Sequence, residues 1–239
     1  MKALRMAVGL SILLVIAGCV TTTTRTHPTL EEQLHHVNSV VIIPPRVEIE
    51  YRTLTGENER LTEKEDTIRA QLIQIAEREL RVHGYDIIEF DFESTMENDE
   101  EFAYTVTQIR EGFEKAKEDL QLGKQVSPEQ AKKLKISVGE AVNVVATESG
   151  ADAILLMRYA GFDKSDGHVA KDIGTTLLVG ILTGGGVLMT SPTSGAVTEV
   201  ALIDGVTGDV LWADIKGGVL NAAVADYTMD TLPYDVDPG

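Results

Sequence analysis

Helical and strand periodicities alternate along this chain, and that interleaving restricts most strongly the folds open to it. Ile68, Leu72, Ile75, Ala76 and Leu80 form one apolar stripe at helical spacing. Phe102, Val106, Ile109, Phe113, Ala116 and Leu120 form a second, and Leu134, Val138, Ala141, Val142 and Val145 a third. Around them lie short apolar runs at 37–44, 153–157, 197–203 and 210–215, and an alternating run at 85–93 with Ile88, Phe90 and Phe92 on one face. A striped helix must bury its stripe, and a strand apolar on both faces must be covered twice. The order therefore predicts an α/β fold: a mixed β-sheet of about five strands with helices packed on it, ending in a β-hairpin and a short helix over 222–232.

Local signals sharpen the elements. Thr62 with Glu65 reads as a capping box, acids crowd that helix start, and Gly84 reads as its left-handed stop. Ser127, Pro128 and Gln130 read as the start of a third helix closed by Gly150. Pro44-Pro45 ends the first strand, with Val47, Ile49 and Tyr51 alternating beyond it. Asp204 to Asp209 carries the Gly and Asp residues of a hairpin turn.

Residues 1–18 read as an export signal. Lys2 and Arg5 precede an eleven-residue apolar run over 6–16, too short to span a bilayer as a helix. Small Ala17 and Gly18 lead to Cys19, and a single cysteine excludes a disulfide framework within the chain. Residues 19–36 are polar and predict a flexible tether, 37–232 a single α/β domain, and 233–239 a tail. Loss of the leader with Lys2 and Arg5 takes the formal charge from −17 to −19. So acidic a chain has no basic surface for phosphate contacts, and nucleic acid is not an expected partner.

Ile16-Ala17-Gly18-Cys19 resembles a bacterial lipobox. The resemblance implies that the Cys19 thiol carries diacylglycerol and that the new amine is acylated with a fatty acid such as palmitate. Two or more acyl chains anchor stably where one does not. Val20 rather than Asp at the next position implies, by the same resemblance, the outer membrane facing the periplasm.

Four features together resemble envelope lipoproteins sharing a fold with the curli secretion lipoprotein CsgG and the N-terminal domain of TolB. They are the lipobox, the first strand VVIIPP, the stretch GADAILLMRYAGF after a helix, and the hairpin EVALIDGVTGDVLWADIKG. The resemblance implies a non-catalytic accessory, scaffold or assembly role, related to secretion or transport, and it supplies no catalytic residues.

The residues themselves point the same way. His35 and His36 lie in the polar stretch without neighbours at ligand spacing, and no metal site is expected. Eight acids between Asp86 and Glu101 lack a calcium-loop pattern and read as a wet strand face. Gly184, Gly185 and Gly186 lack the Lys of a phosphate loop, and Ser191 and Ser194 lack a nucleophile elbow. Trp212 reads as core. No catalytic residue and no cofactor is expected. The function expected is that of a lipid-anchored, non-catalytic module acting through protein contacts; the alternative is a membrane-anchored hydrolase of envelope polymers. Residues 173–198 hold no charge, and there Leu177 and Ile181 fall on a bulky helical stripe and Gly180 and Gly184 on a small face, a pattern suited to self-association or a partner contact.

Overall fold

The computed structural model describes residues 21–53, 58–122, 124, 126–127, 130, 135–164, 194–218 and 229–234. The chain runs β1 (Thr21–Thr26), α1 (Leu30–Leu34), β2 (Ser39–Ile42), β3 (Arg46–Arg52), β4 (Asn58–Arg60), α2 (Thr62–Val82) and β5 (Asp86–Ile88). It continues α3 (Phe92–Asn98), α4 (Glu100–Asp119), α5 (Ala141–Ser149), β6 (Ala153–Lys164), β7 (Ser194–Asp204) and β8 (Val210–Gly218). The class is mixed α/β as expected, but among the described residues the sheet has eight strands rather than about five.

β6 is the axis. One edge pairs antiparallel with β7 along its whole length, from Ala153↔Asp204 to Asp163↔Ser194. The other edge is shared: β2 pairs in parallel with residues 153–155 and β3 with 158–164, the Pro44-Pro45 break falling between them. Proline removes the ladder donor there, so one long strand becomes two collinear ones. β5 extends the sheet beyond β2, and β4 turns back on β3.

Each central strand is covered on both faces. Val40, Val47, Ile49, Leu155, Met157, Leu202 and Trp212 pack with the α2 stripe of Ile68, Leu72, Ala76 and Leu80. Val41, Ile43, Ile154, Leu156, Ala201 and Ile203 pack with Phe102, Val106, Ile109 and Phe113 of α4 and Val142 and Val145 of α5. Trp212 is fully buried, as its place in the last strand predicts.

The end of α2 is as expected. Gly84 has φ +94, its N–H donates to Arg81 O at 3.2 Å, and Tyr85 N–H donates to Leu80 O at 3.0 Å. That pair is a Schellman closure. The start of α2 differs. Leu61 occupies the N-cap, and Glu65 turns inward, 3% exposed, to accept from Ile49 N–H at 3.0 Å and from the Arg60 guanidinium at 2.7 and 3.1 Å. Burial of a carboxylate is tolerated here because three donors meet it. Glu65→Ala leaves the Ile49 amide without its acceptor and is expected to cost about 2–3 kcal/mol in urea unfolding, with Glu65→Gln recovering part. A loss below about 0.5 kcal/mol would mean that water satisfies the amide.

Four further expectations are corrected. The strand expected over 85–93 stops at Ile88, because Asp91 accepts from Ser94 N–H at 3.0 Å and starts α3. The acidic stretch is therefore a pair of helix caps rather than a wet strand face, with Asp99 accepting from Phe102 N–H at 3.0 Å to start α4. The third stripe is broken: Val138 N–H donates to Gly208 O at 2.8 Å and Val210 N–H to Ile136 O at 2.9 Å, so 136–138 runs beside the β7–β8 turn and α5 begins only at Ala141. The polar stretch expected as a tether folds from Thr21 onward. β1 pairs antiparallel with β8 over Thr21↔Gly217 to Thr26↔Trp212. Arg25, 7% exposed, donates to Leu120 O, Gln121 O and Lys124 O at 3.0, 3.2 and 2.7 Å, closing the C-terminus of α4.

Residues 1–20 with Cys19, and the stretch 165–193, lie outside the described residues, as do Leu134 and most of the expected last helix. Of the expected tail, Pro233 O accepts from the Tyr85 hydroxyl at 2.9 Å.

Candidate functional site

Gly112 decides where the larger of two surface depressions among the described residues forms. A Cβ at this position would stand 2.3 Å from Val138 O, so its absence lets α4 lie against the 136–139 segment. The two surfaces diverge on either side of that contact. They leave a groove of about 1160 Å³ between α4, the start of α5 and the β7–β8 turn. Tyr104 from α4, Val144 from α5 and Val206 from the turn line it, and they are 64%, 45% and 76% exposed. Among the described residues, Glu101, Glu111, Asp119 and Glu140 line it with one cation, Lys115.

Helical spacing explains Tyr104. It lies two residues from both Phe102 and Val106, on the opposite side of α4 from the buried stripe. Val206 is held outward by its turn, in which Asp204 Oδ1 accepts from Val206 N–H at 3.0 Å and Thr207 N–H at 2.6 Å. The groove thus offers exposed apolar area ringed by negative charge, the chemistry of a binding surface.

A second, smaller depression of about 300 Å³ opens at the other end of the sheet between Glu48, Glu50, Arg52, Arg60, Arg158 and Phe162. Arg52 stacks over the Phe162 ring at 4.5 Å and pairs with Glu50 at 3.5 Å. Arg158 joins this depression to an ion network under α4. Glu199, 6% exposed, accepts from Lys117 Nζ at 2.7 Å and from Arg158 Nη1 at 3.1 Å, while Glu48 stands 3.4 Å from Arg158. Burial alone would lower the Arg158 guanidinium; the carboxylates of Glu199, Glu114 and Glu48 together outweigh it and hold the group above its ordinary value.

Of the histidines, His35 and His36 are exposed, and His83 Nδ1 donates to Glu79 O at 2.8 Å with its ring on Tyr234. His27 is buried between Thr29 and Asp209. Its Nδ1 accepts from Thr29 N–H at 3.2 Å, which occupies the lone pair a base would use on the Thr29 hydroxyl, and Nε2 stands 3.8 Å from Asp209. Burial lowers the His27 pKa. That arrangement closes a turn after β1. Among the described residues, no group of three His, Cys, Asp or Glu side chains is placed to hold a metal ion, and no helix is long and apolar enough to cross a membrane.

The sequence-predicted contact residues Leu177, Gly180, Ile181 and Gly184 lie outside the described residues, as does Cys19. The groove was not anticipated. Tyr104 off its helix stripe and Val206 within a turn were the available signals, and each alone is an ordinary exposed side chain.

No protein-family model matches this sequence, and no curated protein matches it. Solved structures resemble its chain trace. The PelC dodecamer from Paraburkholderia phytofirmans is 13% identical, with 88% of this chain and 91% of that one covered at a TM-score of 0.34. A DUF4136 family protein from Bacteroides thetaiotaomicron is 9% identical, covering 88% and 92% at 0.33. A lipoprotein from Neisseria meningitidis is 10% identical, covering 82% and 99% at 0.30. The architecture described above stands on the strand registers and helix packing themselves.

Proposed function

We propose that this protein is a lipid-anchored, non-catalytic envelope protein of bacteria that serves as an accessory or assembly module and binds a protein partner in the groove between α4 and α5. The groove carries the reading, because three large apolar side chains stand exposed together along it. Its ring of carboxylates selects a partner segment that is basic around an apolar anchor. The lipobox residues Ile16 to Cys19 supply the anchor, and Val20 beside them the address, the outer membrane facing the periplasm.

In-cell photocrosslinking from position 104 tests the binding surface. A discrete adduct is expected from 104, none from position 78 on the opposite helical layer, and loss of the adduct in Val144→Asp with an unchanged melting temperature. Equal adducts from 104 and 78, or an adduct indifferent to Val144→Asp, would overturn the groove as the contact. Fatty-acid labelling of the wild type that persists in Cys19→Ala would overturn the anchor.

A further inference from the structure

The strand registers fix which end of the sheet lies nearest the proposed lipid. Thr21 pairs with Gly217, Gly217 with Val197, Val197 with Ala160 and Ala160 with Glu48. One row thus places the start of β1 within four residues, about 13 Å, of the end where β3 finishes at Arg52, β6 at Lys164 and where β7 begins at Ser194. Cys19 precedes Thr21 by two residues, a span of at most about 7 Å. β1 itself is held by its ladder to β8 and by Arg25 on the carbonyls that follow α4. An anchor so short, on a strand so held, transmits an orientation to the whole sheet.

We infer that the end of the sheet carrying Arg52, Asn58 and Lys164 rests against the headgroups of a bilayer, with the groove turned away from it. The inference rests on the lipid-anchor reading given above. Three observations support it. Strand ends at the opposite pole carry Asp86, Asp152, Asp204 and Asp209, which anionic headgroups repel. At the near pole Arg52, Arg60 and Lys64 are paired with Glu50, Glu65 and Asp163, and the exposed Glu59 and Glu63 stand beside them, so cations and carboxylates are mixed there. Residues 165–193, which lie outside the described residues, join the sheet at this same pole through Lys164 and Ser194, and from residue 173 onward they contain no charged side chain. Along β7, 11 residues at about 3.3 Å each place Val206 roughly 35 Å from that pole. The groove is thereby offered to partners in the aqueous compartment rather than to lipid.

The sulfur of Cys19, once lipidated, no longer reacts with thiol reagents, so one introduced cysteine becomes the unique labelling site in the full-length lipidated protein. Asn58→Cys at the near pole and Val206→Cys at the far pole are each labelled with a fluorophore. The proteins are reconstituted in phosphatidylethanolamine–phosphatidylglycerol vesicles containing a headgroup-nitroxide lipid. Strong quenching of the label at 58 and none at 206, relative to nitroxide-free vesicles, is the expected result. A second pair of exposed sites, Glu63→Cys and Glu148→Cys, should repeat the contrast if either first variant folds poorly. Equal quenching at both poles, or stronger quenching at 206, with fatty acid on Cys19 and the protein on vesicles, overturns the orientation alone. A protein that carries no fatty acid and stays off the vesicles overturns the lipid-anchor reading and the orientation with it.

Discussion

Replacing Glu199 by Ala is expected to lower the unfolding free energy by about 3 kcal/mol, at the lower end of the range for removing one partner of a buried ion pair. The carboxylate lies under α4 and accepts from Lys117 at 2.7 Å and Arg158 at 3.1 Å. Its loss leaves Lys117 with Glu114 at 2.8 Å and Arg158 with Glu48 at 3.4 Å and Glu114 at 3.7 Å. These remaining partners keep the effect from the upper end of the range. Urea unfolding should show a lower midpoint at an unchanged slope. A change below about 1 kcal/mol would mean that water already screens the network as it screens surface pairs.

Asp214 is expected to produce the larger pH effect. Its side chain is fully buried between β1 and β7, and burial pushes the carboxyl up to about 7. The Thr24 hydroxyl and Ile215 N–H, each donating to Oδ1 at 3.0 Å, and the charge of Lys216 act in the opposite sense. Oδ2 has no hydrogen-bond partner among the described residues. A carboxyl raised on folding favours the native state while it is protonated in both states, below about 4. That contribution is lost as pH rises through about 7, by up to about 4 kcal/mol. Asp214→Asn keeps the neutral shape. It should match the wild type near pH 4 and exceed it in stability at pH 8, which thermal unfolding across the range will show. Parallel curves for the two proteins would refute a protonated Asp214 in the native state.

Both positions show why the fold was more legible than its polar interior. Glu199 follows Thr198 in a strand read correctly as apolar, and Asp214 sits in the hairpin that was also read correctly. Alternation assigns their faces, but it does not say that Lys117 from a helix 82 residues away, or Thr24 from the opposite end of the chain, arrives there. The groove shares this character. It needs Gly112 against Val138 and a turn that carries Val206 alongside α5, and these meet only after the sheet has assembled.

Periodicity within the chain by itself determined the class of fold, the two long helices with their buried stripes, the strands 153–157, 197–203 and 210–215, and the Gly84 stop. These follow from contacts between near neighbours and from the need to bury a patterned face, both of which are written locally. Only the tertiary structure decided the rest. TTTTRT carries no apolar alternation, yet it becomes an edge strand because β8 presents an unpaired ladder and α4 presents carbonyls to Arg25. Residues 136–138 leave the helical pattern because the backbone of the β7–β8 turn takes their hydrogen bonds. Glu65 abandons its own helix cap because Ile49 and Arg60 bring it three donors. In each case a distant backbone or charge outbids a weak local preference, since an unsatisfied buried polar group costs more than a helix cap contributes.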